Sequence, residues 1–221
     1  MRVSSILLRM GAMCLLTSMS FGQQAAPSVD KVSDDLDRHY NDLRSLRAAF
    51  TETYRGAGIT RTESGTLWLR RPGKMRWEYT EPREKLFVSD GKTAYFYVPG
   101  ERQARKAPLD TLDDLRSPLR YLLGKTKLKK EFDNLTARAG DQPGITVVRG
   151  VPRNMSDRVS EVSMDVNSGG EIQRIQIDEV DGSQTEFTFS SMQENVPVED
   201  ARFRFQPPAG VEMVQGTAAA P

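Results

Sequence analysis

A series of short β-favouring segments between Gly65 and Pro99 limits the possible folds of this chain more than any other stretch of its sequence. The segments are separated by Arg71-Pro72-Gly73-Lys74, by Glu81-Pro82-Arg83 and by Asp90-Gly91. Pro-Gly and Asp-Gly pairs are typical of tight turns between strands. The stretch is therefore predicted to form a meander of antiparallel strands.

One face of this meander is predicted to be apolar, with a single charge on it. Because alternate residues of a strand point to the same side, Leu67 and Leu69 share a face with Arg71. A charged side chain among large apolar ones needs a polar partner. The apolar residues of this face, which is expected to be concave, are Leu67, Leu69, Met75, Trp77, Tyr79 and Phe87. An ordinary core between sheet and helix accounts for such a face, but Arg71 and the adaptable Met75 favour a surface that binds apolar ligands.

Two stretches show the helical spacing of apolar residues. From Val29 to Phe50 these residues recur at steps of three and four, which predicts one N-terminal helix. A second, leucine-rich stretch follows Pro108 and is interrupted at Ser117-Pro118, so two short helices are predicted there. The second stretch is expected to cover the apolar face as a lid. Its covering residues are predicted to be Leu119, Leu122 and Leu123.

The second half of the chain alternates between strand-like runs and turns. A charged stretch, Gly100–Ala107, is interpreted as a solvated segment or an edge strand. The whole pattern predicts an α+β fold with one strongly curved antiparallel sheet of about ten or eleven strands, because twisted sheets of this size rarely stay flat. The later strands are predicted at Ile145–Arg149, Arg158–Val166, Glu171–Glu179, Thr185–Ser190 and Phe203–Pro208.

The chain begins with a segment that is typical of export. Arg2 and Arg9 come before an apolar run, Met10–Met19, which is too short to cross a bilayer as a helix. Residues 1–22 are therefore predicted to be a signal peptide, with Ala25 or Ala26 as a second possible cleavage position and a retained anchor as the alternative. Cys14 is the only cysteine and would leave with the signal peptide, so no disulfide is expected in the mature protein.

Residues 23–214 are predicted to form one domain, followed by a disordered tail at residues 215–221. Without the signal peptide, 29 basic residues stand against 30 acidic ones. Binding to nucleic acid needs a clear basic excess, so a nucleic-acid partner is not expected. The sequence therefore predicts an exported, soluble and monomeric protein of the periplasm.

The sequence contains no residue pattern that is typical of catalysis, metal binding or a bound cofactor. His39 is the only histidine and lies in the predicted N-terminal helix, away from any G-x-S-x-G turn or set of metal ligands. Phosphate-binding and dinucleotide-binding glycine motifs do not occur. We therefore expect neither an enzyme nor a cofactor or metal protein. A carboxylate pair acting on glycosides is the enzymatic alternative that the sequence leaves open.

Four lysines follow the leucine-rich stretch, at Lys125, Lys127, Lys129 and Lys130. A run of like charges is most often a solvated surface. The alternative is a docking patch for an acidic partner.

Several spaced motifs resemble those of one known family. They are Gly65-Thr-Leu-Trp-Leu-Arg-Arg-Pro-Gly-Lys-Met-Arg-Trp-Glu-Tyr, Val88-Ser-Asp-Gly-Lys-Thr, Ser117-Pro118-Leu119 with Leu122-Leu123-Gly124, and Phe203-Arg-Phe-Gln-Pro-Pro-Ala-Gly-Val-Glu. With these motifs in the right order, the stretch from Val29 to Val214 resembles the LolA-type periplasmic lipoprotein carriers.

The resemblance implies an incomplete β-barrel whose apolar cavity lies under a short helical lid. It also implies a carrier that takes acylated lipoproteins from an inner-membrane ABC transporter to an outer-membrane receptor lipoprotein. Arg71 matches the arginine that contacts the lid in this family. The sequence differs from the family pattern at Met75, where an aromatic residue is common, and at Glu52, where Gln is usual. A periplasmic regulatory domain that senses lipoproteins or lipids is the alternative function.

Overall fold

The computed structural model describes residues 27–109 and 127–216, and one open, curled β-sheet carries most of these two ranges. A helix, α1 (Val29–Asp42), precedes the sheet, and a four-residue helix, α2 (Leu128–Glu131), lies between the sixth and seventh strands. Within the described ranges the sheet has twelve strands. They are β1 (Ser45–Gly56), β2 (Ile59–Arg70), β3 (Lys74–Glu81), β4 (Lys85–Asp90), β5 (Thr93–Tyr97), β6 (Gln103–Pro108), β7 (Phe132–Ala139), β8 (Thr146–Pro152), β9 (Val159–Val166), β10 (Ile172–Glu179), β11 (Gln184–Glu194) and β12 (Glu212–Gln215).

The sheet consists of two meanders that meet at β1. The spatial order of the strands is β12-β6-β5-β4-β3-β2-β1-β11-β10-β9-β8-β7. Strands β1 to β6 form the first meander and β7 to β11 the second, and β1 pairs with both β2 and β11. Neighbouring strands are antiparallel except for β6 and β12, which are parallel. In the described part of the chain, β7 and β12 are therefore the two edges of the sheet.

The main core lies between the concave face of the sheet and α1. Buried apolar side chains from both meanders form one cluster with Leu36 and Tyr40 of the helix. The Tyr40 hydroxyl accepts a hydrogen bond from the backbone N–H of Ile172 at 2.8 Å, which ties α1 to the start of β10. At the other end of the helix, the side chain of Ser28 accepts a bond from the Lys31 N–H at 3.4 Å, as expected of an N-cap.

A smaller apolar contact lies on the convex face of the sheet. A 3-10 helix, Asp200–Phe203, packs against β3 and β4, and Phe203 is fully buried there. The Phe205 ring follows and lies 5.5 Å from the ring of Tyr95 and 5.8 Å from that of Tyr97, measured between centroids. The C-terminal segment is thereby attached to the outer side of the first meander.

The predicted fold class is confirmed, with one strand more than the upper estimate of eleven. Phe203–Pro208 is wrong as a strand: it begins in the 3-10 helix and continues as extended chain, because its two phenylalanines pack on the convex face.

The two edges of the sheet also differ from the prediction, which did not include β7. Strand β6 lies inside the sheet rather than at its edge, because β12 pairs with it. The same β12 includes Gln215, the first residue assigned to the tail.

The predicted N-terminal helix is wrong beyond Asp42. Leu43 is already extended, and β1 begins at Ser45. Leu46, Ala48 and Phe50 are buried at alternate positions of β1, which is the period of a strand. The helical steps of three and four continue to Phe50 only when the small apolar residue Ala48 is left out of the pattern. With Ala48 included, the apolar residues from Leu46 to Phe50 alternate as in a strand. Ala57-Gly58 forms the tight turn that joins β1 to β2.

Gly65 in β2 is expected to tolerate no side chain. A Cβ atom at this position would lie 1.9 Å from the backbone oxygen of Glu78, which the sheet holds in place. Gly65→Ala should therefore lower the free energy of unfolding by about 2 kcal/mol or more, as measured in urea. Gly216→Ala is the matched control, since its Cβ would meet only the flexible side chain of Arg105 at 3.8 Å. Equal stability of the two variants would contradict this account of β2.

Candidate functional site

The six predicted apolar residues lie together on the concave face. In the sheet register Leu69 is opposite Met75, and Trp77 is opposite Leu67 on one side and Phe87 on the other. The sixth residue, Tyr79, lies opposite Gly65. All six side chains are buried within the main apolar cluster.

The second meander completes this surface, which the sequence did not indicate. The Phe50 ring lies 4.8 Å from the Trp77 ring, and the Phe187 ring lies 5.7 Å from it on the side of β11. Ile175 pairs with Phe187 and continues the apolar surface into β10. The alternation in β10 and β11 was visible in the sequence, but the pairing of β11 with β1 joins residues more than a hundred positions apart, and no local pattern marks it.

Gly65 creates the close contact between aromatic rings from strands that are not neighbours. It lies between Phe50 of β1 and Tyr79 of β3 in the register. Because it has no side chain, the Phe50 and Tyr79 rings meet across β2 with centroids 4.8 Å apart. The aromatic part of the concave face is therefore continuous from β1 to β4.

Beyond these rings, the same face becomes polar. Glu52 and Glu63 are direct cross-strand partners in β1 and β2, and both are buried. The Tyr79 hydroxyl donates a hydrogen bond to Glu52 Oε2 at 2.6 Å. Lys85 Nζ lies 2.5 Å from Glu63 Oε2 and 4.3 Å from the centre of the Tyr79 ring. We call this group of Glu52, Glu63, Tyr79 and Lys85 the polar row.

Half of the polar row, the pair of Glu52 and Glu63, can be located from the turn between β1 and β2. A hairpin closed by Ala57-Gly58 pairs residues that lie at equal distances from the turn, and this pairs Glu52 with Glu63. In the sequence itself, Glu52 stands out only as a difference from the family pattern.

Burial changes the acidity of the groups in this row. Removal from water raises the pKa of the Glu52 carboxyl above its ordinary value of 4.5, and the hydrogen bond from Tyr79 opposes part of that rise. Burial and the neighbouring Glu52 carboxylate raise the pKa of the Tyr79 hydroxyl well above 10. Tyr79 therefore remains a hydrogen-bond donor throughout the physiological pH range.

Arg71 lies at the opposite end of the concave face and contacts α1. Its Nη1 donates a hydrogen bond to the backbone oxygen of Asn41, in the last turn of the helix, at 2.6 Å. A helix end leaves carbonyl groups without helical partners, and a cation is favourable beside them. The Nη2 atom is buried and has no hydrogen-bond partner within the described ranges. Partial burial also lowers the pKa of the guanidinium, which nevertheless stays charged.

The predicted lid residues Leu119, Leu122 and Leu123 lie outside the described residues, and so does Lys125. Of the other three lysines, Lys129 is engaged by α1: its Nζ lies 2.9 Å from Asp30 Oδ1 and 3.0 Å from Asp34 Oδ1. The docking patch for an acidic partner stays a prediction.

His39 pairs with a carboxylate from the end of β11. Its Nε2 lies 2.7 Å from Glu194 Oε1, beside a polar surface groove of about 430 Å³. Across residues 27–109 and 127–216, no group of three or more His, Cys, Asp or Glu side chains is arranged to hold a metal ion. No helix in the same two ranges is long and apolar enough to cross a membrane.

Comparison with known proteins gives a consistent picture. Residues 41–206 match the family described as outer membrane lipoprotein carrier protein LolA. The chain is 31% identical over 193 residues to the outer-membrane lipoprotein carrier protein of Chromobacterium violaceum. The match covers 87% of this chain and 91% of that protein. It is 32% identical to the protein of the same description from Sodalis glossinidius, over 90% of this chain and 96% of the relative.

The fold alone is similar to a solved structure of an uncharacterized conserved protein from Thermus thermophilus. The TM-score is 0.56 at 10% sequence identity, with 86% of this chain and all of the other chain covered.

The raised pKa of Glu52 predicts how one substitution alters stability with pH. A carboxyl whose pKa is higher in the folded state stabilises the protein below its unfolded pKa, and this contribution is lost as the pH rises through the folded pKa. Glu52→Gln removes the titration and keeps an acceptor for Tyr79. At pH 7 the variant should be at least as stable as the wild type, and its advantage should shrink as the pH falls towards 4.5.

Urea unfolding at a series of pH values measures this difference. Glu179→Gln, at the end of β10, is the control for the loss of one carboxylate outside the polar row. A Glu52→Gln variant that is clearly less stable than wild type at pH 7 would contradict the account, because it would mean that the carboxylate charge is stabilising.

Proposed function

This chain belongs to the LolA family of outer-membrane lipoprotein carrier proteins, and we propose that it binds the acyl chains of lipoproteins on its concave face and carries them across the periplasm. One observation supports the site above all: the six predicted apolar residues share one face of an open sheet. Each exposed CH₂ group costs about 0.8 kcal/mol in water, so an acylated protein needs a cover to cross an aqueous space.

Loading requires the apolar cluster to open. Leu67, Trp77 and Phe87 are almost completely buried, so an acyl chain must displace apolar side chains that pack against them. Met75 and Met164 lie in the same cluster, and unbranched methionine side chains adapt to ligands of varied shape. We assign the removable cover to the segment that carries Leu119, Leu122 and Leu123. Apolar contacts with this cover are exchanged for contacts with the acyl chain, so the net binding energy stays low enough for release.

The proposed partners follow from this role. The carrier receives acylated lipoproteins from an inner-membrane ABC transporter and gives them to an outer-membrane receptor lipoprotein. It works as a monomer in the periplasm after its signal peptide, residues 1–22, has been removed. Binding and release need no bond to be made or broken, so the function requires no catalytic residue, cofactor or metal ion.

Arg71 is proposed to hold the empty carrier closed. One of its nitrogens already binds the Asn41 carbonyl, and the buried Nη2 has donors to offer to the cover. Carbonyl groups at the ends of the predicted short lid helices are suitable acceptors. An entering acyl chain must break these bonds, and its release restores them. Closure therefore opposes loading and assists transfer to the receptor.

The first test is competition for the apolar site. An environment-sensitive apolar dye should bind to the protein, and an acylated lipoprotein should displace it. The same lipoprotein without its acyl chains should not, because the acyl chains and not the polypeptide are proposed to occupy the concave face. Equal displacement by the acylated and unacylated forms would refute acyl-chain binding at this site.

The second test separates loading from release. Arg71→Leu removes the donors and adds apolar surface, so the variant should accept lipoprotein and then transfer it to a receptor at least about tenfold more slowly, since a hydrogen bond to a charged group contributes about 1.5–3 kcal/mol. Arg70→Leu is the matched control, because Arg70 binds the Val198 oxygen and Asp200 at the convex side. Both half-reactions are measured with purified components.

Wild-type transfer rates in Arg71→Leu would show that Arg71 only stabilises the end of α1. Thermal unfolding of both variants distinguishes that structural role, since Arg71→Leu would then lower the melting temperature without slowing transfer.

A further inference from the structure

We propose that the polar row of Glu52, Glu63, Tyr79 and Lys85 is a barrier that limits the length of the acyl chain this protein accepts. The inference rests on the proposed function, because it concerns the same concave face. It assigns a specificity role to Glu52, Glu63 and Lys85, which the carrier function itself does not require, and to the hydroxyl group of Tyr79.

The concave face of the first meander is an apolar strip with one polar end. Successive inward-facing rows begin with Leu69 beside Met75, followed by Leu67 beside Trp77. The third row has Gly65 beside Tyr79, and the fourth has Glu63 beside Glu52. Leu69 and Glu63 are six positions apart along β2, which corresponds to about 20 Å at about 3.4 Å per residue. The strip therefore has a defined length.

The polar row is closed to hydrocarbon because its groups are buried and already paired. Glu63 is only 7% exposed and Lys85 only 16%, and the two form an ion pair. Glu52 accepts the hydrogen bond of the buried Tyr79 hydroxyl. An acyl chain that entered this row would have to separate these partners and leave them without hydrogen bonds, which costs several kcal/mol. The tip of the chain is therefore expected to stop at Tyr79.

The neighbouring groups define how far the barrier extends. Arg61 Nε lies 3.3 Å from Glu63 Oε2 and extends the charged region towards the β1–β2 turn. On the other side of Glu52, its partner in β11 is the apolar Phe187. The barrier therefore spans β1 to β4 and ends at β11, and the six proposed acyl-binding residues lie on β2 to β4.

The barrier predicts how affinity depends on chain length. While each added CH₂ is buried on the strip, affinity should rise about fourfold per carbon. Once the chain reaches the polar row, additional carbons stay in water and affinity should level off. Saturated fatty acids of increasing length, each below its micelle concentration, provide the probes, and displacement of the bound apolar dye provides the dissociation constants.

The main variant is Glu52→Leu/Tyr79→Phe, which removes both members of one hydrogen bond and leaves neither partner unpaired. Its affinity should continue to rise for at least about two carbons beyond the wild-type limit, a gain of about fifteenfold. Glu63→Gln/Lys85→Met removes the ion pair instead and should shift the limit in the same direction. Glu52→Gln keeps the row polar and should retain the wild-type limit. Near-ultraviolet circular dichroism and thermal unfolding establish that each variant is folded.

The outcomes separate the barrier from the function on which it rests. A wild-type protein that binds no fatty acid of any length would overturn the proposed function and the barrier together. Wild-type affinity that rises through the longest probe, or a limit that is the same in the wild type and every folded double variant, would overturn the barrier alone. A limit that moves to longer chains in a folded double variant, but not in Glu52→Gln, supports it.

Discussion

The pairing of β1 with both β2 and β11 is the contact on which the rest of this structure depends. It joins two local meanders into one curled sheet and brings their apolar faces to the same concave side. Phe50, at the middle of β1, thereby reaches Trp77 from the first meander and Phe189, its register partner in β11, from the second. Without this pairing each meander would leave an apolar face in water, and α1 alone could cover only part of it.

The two ends of the concave face are polar for different physical reasons. At one end, Arg71 binds the last turn of α1 and keeps a second nitrogen buried without a partner in the described part of the chain. Such a donor is costly to leave unpaired, so it suits a contact that is made and broken during function. At the other end, the polar row satisfies its own hydrogen bonds and ion pair, and therefore needs no ligand. We propose that the first end controls opening and release and that the second end limits the length of the acyl chain.

The sequence predicted those parts of the fold that have local signals. Turns marked by Pro-Gly and Asp-Gly located β2 to β5, and strand alternation placed Leu67, Leu69, Met75, Trp77, Tyr79 and Phe87 on one face. The contact between Arg71 and Asn41 could not be predicted. The helical spacing of apolar residues continues to Phe50, so the sequence does not show that α1 ends at Asp42. Pairings set by long-range register, such as Phe50 with Phe189, have no local pattern at all. The parallel pairing of β12 was missed for the same reason.

The central claim is that acyl chains bind on the concave face of the sheet. The most direct measurement uses a lipoprotein whose acyl chains carry a photoreactive group, with mass spectrometry to locate the cross-linked residues. The account predicts adducts on inward-facing residues of β2 to β4, centred on Leu67, Trp77 and Phe87. Adducts concentrated on the convex face, around Phe203 and Phe205, would contradict it.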